Sequence, residues 1–317
     1  MIHNLPVKAY VGVTDGDWHR FLAARQVLNE VNFWRPAGER EFRVLTPGEP
    51  FFFKTHHPQN QIVGGGFYSG FAKLRISEAW DLFEEGNGVA SLEQMRRIVS
   101  RYRREPIGVD EDPVIGCVFV RDTAFFPTGT FVDPPADFKP NIVQGKSYDI
   151  GDSSTAKYFD VLIGRLLGAT VEVDTSSPWH RPGPVYGDPR LTPRRLGQQS
   201  FKAVVLGAYG RRCAISGEKI LPVLQAAHIR PLPAGGEHRI DNGLLLRSDV
   251  HTLFDRGYLG LDPDHRLLVS PELRREFGNG EEYYARAGQR VHVPERPNDR
   301  PNRDFLEWHL DTIFKKH

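Results

Sequence analysis

Apolar residues gather in four short stretches of the first 150 residues, set between polar segments. They are "AYVGVTD" (9–15), "EPFFFK" (49–54), "QIVGGGFY" (61–68) and "VIGCVFV" (114–120). Short apolar runs rich in Val, Ile, Phe and Tyr predict β-strands. Between them, "SLEQMRRIVSRYRRE" (91–105) predicts a helix, with Ser91 as its N-cap and Gln94 three residues on. A second helix is predicted over 153–168, where apolar residues fall at 159, 162, 163, 166 and 167. The later pattern is helix over 192–210, a short turn at "AISGEK", then a strand in "LPVLQAAHI". A Gly-rich loop, a strand "GLLLR" and a helix from about Ser248 to Asp255 follow. In the first of these helices Thr192 is the expected cap, Pro193 its first residue and Gly210 its end. "GGG" at 64–66 predicts a bulge or close backbone approach, since no helix follows to cradle a phosphate.

Composition breaks the chain in two. Residues 174–193 carry five prolines and two glycines among polar residues, the make-up of a linker. The predicted organisation is a domain over 1–152, a helix and linker over 153–193, and a second domain over 194–317. The 317 residues suffice for two modest cores, and 39% hydrophobic with 26% charged residues is a globular composition. No apolar run approaches a membrane span, and the N-terminus lacks a basic-then-apolar signal. With Cys117 and Cys213 far apart, a reduced cytoplasmic setting is expected.

The net charge of +1 excludes a polycation, yet charge is uneven. From Arg190 to Arg230 there are eight basic residues, among them Arg194, Arg195, Arg211, Arg212 and Arg230, against one acid, Glu218. Such a stripe suits a polyanionic partner, though it would also suit a solvated face.

The stripe ends beside His228, in "AAHIRP". A lone histidine is more often a core residue than a reactive one; its neighbours decide otherwise. Asn242 lies fourteen residues on, His251 nine further and Asp255 four after that, so His251 and Asp255 share a helix face. An imidazole and a carboxylate on one surface suit a divalent cation with open positions. Phosphodiester hydrolysis needs water deprotonated, charge stabilised at phosphorus and help for the leaving 3′-oxygen. His228 can serve as the base, a cation on His251 can serve the other two needs, and Asn242 can tie the loop.

"AAHIRP…IDNGLLLRSDVHTLFD" resembles the HNH endonucleases, whose fold is the ββα-metal unit. The resemblance implies His228 as general base, Asn242 as the central asparagine and His251 as the helix metal ligand, with a cation of the Mg²⁺ or Mn²⁺ class. In many of these proteins a His or Asp before the base also binds metal. Ala227 stands there, so Asp255 is the expected substitute and Gln225 a poorer one. "CAISG" (213–217) offers no CxxC pair, so no structural zinc is expected and Cys213 should be a buried small residue.

The first domain, in "AYVGVTDGDW", "NFWRP", "PGEPFFFK" and "QIVGGGFYSG", resembles the PUA superfamily, particularly EVE-like domains. That implies a curved β-barrel with helices, an α+β fold overall, and recognition of modified bases or RNA. A flipped base needs an aromatic wall and polar groups at its edge. Trp34 and Asn32, read as lying in a loop, and Lys54 on a strand are the expected contacts. Strand alternation is expected to turn one ring of Phe51–Phe53 to a pocket. The combined resemblance is to bacterial type IV, modification-dependent restriction enzymes. The expected partner is double-stranded DNA with a modified base, a cytosine above all. Cutting both strands would take a homodimer or two successive events. The alternatives are a nuclease whose first domain binds RNA or unmodified DNA, and a non-catalytic nucleic-acid-binding protein.

Overall fold

The computed structural model describes residues 8–25, 29–38, 41–103, 106–150, 153–171 and 197–316. They divide into two compact units, 1–200 and 201–317. No helix among the described residues is long and apolar enough to cross a membrane.

The first unit runs β1 (Lys8–Thr14), α1 (Gly16–Ala23), β2 (Glu30–Arg35), β3 (Pro50–Thr55), β4 (Ile62–Arg75), α2 (Ile76–Phe83), α3 (Leu92–Tyr102), β5 (Val114–Phe125), β6 (Gly145–Asp149) and α4 (Ser153–Val171). Its strands form one sheet in the order β2-β5-β4-β3-β1-β6. All neighbours are antiparallel except β1 and β3, which are parallel. Strand alternation sorts the three consecutive phenylalanines. Phe51 and Phe53 join a core with Trp18, Leu22, Val31 and Phe33. Phe52 faces the other way, into a core with Val11, Ile62 and Phe159, Leu162 and Leu166 of α4. All three rings are fully buried, which corrects the expectation that one of them faces a pocket.

The glycine run of β4 is a close backbone approach. A Cβ on Gly64, Gly65 or Gly66 would meet a carbonyl oxygen of Ala124, Phe51 or Arg121 at 2.4, 2.6 or 2.5 Å, and the register with β5 shifts just after Gly65. Ser91 caps α3 by accepting from Gln94 N, while Gln94 Oε1 accepts from Ala90 N, 3.0 Å.

The second unit is built from α5 (Gln198–Ala208), which begins at the boundary between the units, β7 (Leu224–His228), β8 (Gly243–Arg247), α6 (Ser248–Asp255), β9 (Leu259–Leu261), β10 (Leu267–Val269), α7 (Pro271–Phe277), α8 (Glu281–Tyr284) and α9 (Arg303–Thr312). The expected cap Thr192 and Pro193 lie outside the described residues; Gly210, in the left-handed region at φ +57°, follows the end of α5. β7 and β8 pair antiparallel from Leu224↔Arg247 to His228↔Gly243. β8 passes into α6 without an intervening residue. Phe201 and Val205 of α5, Leu244–Leu246 of β8 and Val250 and Phe254 of α6 are buried, so the hairpin is covered by apolar side chains of two helices.

Candidate active site

His228 ends β7, and a loop of fourteen residues returns the chain to β8. Asn242 closes that loop. Fully buried, its Oδ1 accepts from Arg230 N at 2.9 Å, and its Nδ2 donates to Arg230 O at 3.0 Å and Glu237 O at 2.9 Å. The backbone adds Ile229 N to Asn242 O, 2.9 Å. The loop's first and last turns are thereby joined, and His238, next to Glu237, reaches His228: Nδ1 of one ring lies 3.0 Å from Nε2 of the other. The other neighbour of His228 is Phe201, stacked at 4.1 Å with the ring planes 7° apart. Ala227 is fully buried beside it.

His251 and Asp255 stand one turn apart on α6, with His251 Nε2 3.2 Å from Asp255 Oδ2. Gln225 of β7 places Oε1 2.8 Å from His251 Nδ1. An amide oxygen only accepts, so Nδ1 carries the hydrogen and Nε2 is the bare nitrogen when the ring is neutral. Two electron-rich atoms then face each other across 3.2 Å, an arrangement held together by a proton or a cation. His228, His251 and Asp255 line one cleft of about 290 Å³ with Ile229, Pro231 and His309. Burial, then the charges of His238 and His251, push the His228 imidazole down to about 4, against the pull of Asp255. The ring is therefore neutral near pH 7 and has a lone pair to accept a proton.

The described basic residues of the stripe are placed at different points of the second unit. Arg230 folds onto its own loop, its Nε donating to Ala234 O at 2.7 Å and its guanidinium 5.3 Å from the Trp308 ring. Exposed Arg212 lines a second cleft, about 250 Å³, with Arg286, Arg290 and Ser216. Arg211 follows α5, half-buried, and Arg194 and Arg195 lie outside the described residues. Cys213 is buried, its Sγ accepting from Arg247 N and Ser216 N.

Among the expected base contacts the structure corrects the local reading. Residues 32–34 are part of edge strand β2, not a loop. Alternation puts Asn32 and Trp34 on one face, beneath the turn Glu84–Asn87. Asn32 is fully buried, its Nδ2 donating to Asn87 Oδ1 at 2.9 Å, and half-buried Trp34 donates Nε1–H to Asn87 O at 3.0 Å. Lys54 is 3% exposed, its Nζ donating to Thr55 O and lying 4.8 Å from the Phe138 ring; burial lowers its pKa. Neither Asn32 nor Lys54 presents its polar end to solvent. Three residues, His238 and Phe201 against His228 and His309 in the cleft wall, carry no signal in the sequence. His238 sits in an aperiodic loop, Phe201 and His309 on apolar helix faces, and only the folded loop and helix packing bring them to His228 and the cleft.

A hairpin leads directly into a helix, with a histidine ending its first strand and a His–Asp pair on the helix, which is the ββα order that the sequence resemblance implies. Residues 213–262 match the HNH_2 family model, HNH endonuclease, so the second unit carries an HNH endonuclease domain. No curated protein matches the chain. Among solved structures, ASCH from Zymomonas mobilis is 10% identical over 49% of this chain and 94% of its own, with a TM-score of 0.34. The modification dependent TagI restriction endonuclease is 15% identical over 91% of this chain and 77% of its own, with a TM-score of 0.27.

Proposed function

We propose that the protein is a modification-dependent DNA endonuclease whose second unit hydrolyses phosphodiesters and whose first unit selects the target. The observation that carries the hydrolytic reading is the shared cleft: a neutral imidazole, His228, opens onto the same space as the His251–Asp255 pair. The donor set of that pair, one bare nitrogen and one carboxylate oxygen 3.2 Å apart, fits a divalent cation with open positions. Held by His251 Nε2 and the Asp255 carboxylate, such an ion would supply positive charge to the phosphate and the departing 3′-oxygen. His228 takes a proton from the attacking water. Phe201 fixes the plane of that imidazole and Asn242 fixes the loop behind it. Arg212, Arg286 and Arg290 would meet neighbouring phosphates, with Arg194, Arg195, Arg211 and Arg230 as further basic groups of the segment.

The test is cleavage of plain, methylated and hydroxymethylated cytosine duplexes by the full chain, with Mg²⁺ or Mn²⁺ and with chelator. Cation-dependent cutting of modified duplexes is expected; no cutting of any duplex would reduce the protein to a binding module. His251→Ala and Asp255→Ala should each weaken Mn²⁺ binding by calorimetry, by about 10-fold or more for loss of a direct ligand. Normal metal affinity and normal cutting in Asp255→Ala would move the second ligand elsewhere, with Gln225 next in line.

Target choice is proposed to involve flipping of the modified base onto the first unit. Its support is the resemblance of the strand motifs to PUA domains. Of Trp34, Asn32 and Lys54, Trp34 alone is not enclosed, so its ring is the one to test; the other two would act from beneath the surface. If the ring stacks on a base, Trp34→Ala should weaken binding to the modified duplex by about 5- to 150-fold, the equivalent of ~1–3 kcal/mol. Plain DNA, bound through phosphates, should bind as before and with an unchanged salt slope. A lowered melting temperature with unchanged preference would assign Trp34 to packing against Asn87 alone.

A further inference from the structure

His228 has two ring nitrogens, and only one of them can serve the chemistry. Its Nε2 is occupied, 3.0 Å from Nδ1 of His238. Two neutral imidazoles in that contact share one hydrogen. If His238 donates, His228 carries its own hydrogen on Nδ1 and has no free lone pair. If His228 donates, its Nδ1 is bare.

We infer that His238 is a positioning residue that fixes the tautomer of His228, accepting the Nε2–H at its own Nδ1 and leaving His228 Nδ1 to take the proton from water. This rests on the nuclease reading of the cleft. Three observations support it. The Phe201 stack, with planes 7° apart, fixes the plane of the His228 ring, and in that plane Nε2 meets His238 Nδ1 at 3.0 Å. Asn242 Nδ2 grips Glu237 O, one residue before His238, and so pins the backbone that presents the second ring. Burial depresses the pKa of His238, which keeps it neutral and able to accept.

The step balances. An O–H bond of water breaks and its proton goes to His228 Nδ1. The electron pair stays on oxygen, which bonds to phosphorus as the bond to the 3′-oxygen breaks; that oxygen leaves with its pair and takes a proton from solvent. His228 is then an imidazolium, and its Nε2–H···Nδ1 bond to His238 becomes charge-assisted, strengthening as the charge develops. The role parallels that of a group orienting a catalytic histidine through its second nitrogen.

The experiment uses the full chain labelled with ¹⁵N-histidine, the His228 signals being assigned by their loss in His228→Ala. The wild type should show hydrogen on Nε2 of His228 and a bare Nδ1; His238→Ala should show a mixture. In cleavage assays His238→Ala should lose about 10- to 100-fold in kcat, the range for removing a partner that orients a functional imidazole, with KM for DNA unchanged. His238→Asn, whose Oδ1 can stand where Nδ1 stood and accept, should recover most of that loss. Hydrogen on Nδ1 of His228 in the wild type would overturn the inference, and so would His238→Ala cutting within about twofold of wild type. Equal loss in the Asn and Ala variants would also overturn it. If the Ala variant does not fold, the wild-type spectrum and the Asn variant decide. If the wild type cuts no duplex, the nuclease reading fails by itself, and the spectrum still reports the tautomer.

Discussion

Replacing His228 by alanine is expected to lower DNA cleavage by about 10²- to 10⁴-fold, the range for losing a general base. DNA binding and folding should change little. The two effects can be weighed against each other. The ring stacks on Phe201 at 4.1 Å and bonds to His238, contacts worth about 0.5–1.5 kcal/mol each. A loss of 10²–10⁴ in rate is about 3–5 kcal/mol in the barrier. The chemical term is therefore the larger one, and the melting transition should survive. The substitution also leaves a slot bounded by Phe201 and His238 that matches an imidazole, so free imidazole should restore part of the activity. Cleavage within about tenfold of wild type would remove His228 from the base role. A collapsed melting transition with no rescue would mean that the ring serves packing.

Local periodicity made the centre of the site readable, for a physical reason. His251 and Asp255 lie four residues apart on a helix whose geometry is fixed by its own hydrogen bonds, so their proximity follows from spacing alone. The same holds for the hairpin strands and for α3, with its Ser91 cap. Short or irregular pieces were not readable. β9 and β10 have three residues each, too few to show a period, and β2 is hidden because "NFWRP" is short and runs into proline. α1 and α9 carry caps that spacing could have found: Asp15 accepts from Asp17 N, and Asn302 from Asp304 N. Burial of polar groups was the hardest property to read. Asn32 and Lys54 sit on well-formed strands, yet the turn before Asn87 and the ring of Phe138, both distant in sequence, decide that they are enclosed. His238 is the same kind of case, since its place beside His228 depends on how Asn242 folds the loop.

That dependence gives Asn242 a large effect of its own. Asn242→Ala removes one acceptor and two donors from a buried position, stranding Arg230 N–H, Arg230 O and Glu237 O. A buried group left unpaired costs about 1–3 kcal/mol, but Arg230 and Glu237 are half-buried and water can reach part of the loss. A total of roughly 2–4 kcal/mol is expected, enough to lower the melting temperature of the second unit by about 10 °C. Cleavage should fall as well, because the loop that carries His238 to His228 would keep only the backbone bond Ile229 N to Asn242 O across its ends. Asn242→Asp separates the hydrogen bonds from the packing. Aspartate fills nearly the same volume and still accepts from Arg230 N, but it turns a carboxylate oxygen toward the two carbonyls that formerly received Nδ2–H. It should therefore melt at least as early as the alanine variant. Calorimetry on both variants decides the matter: an aspartate variant as stable as wild type would show that the two donated bonds contribute nothing to closing the loop.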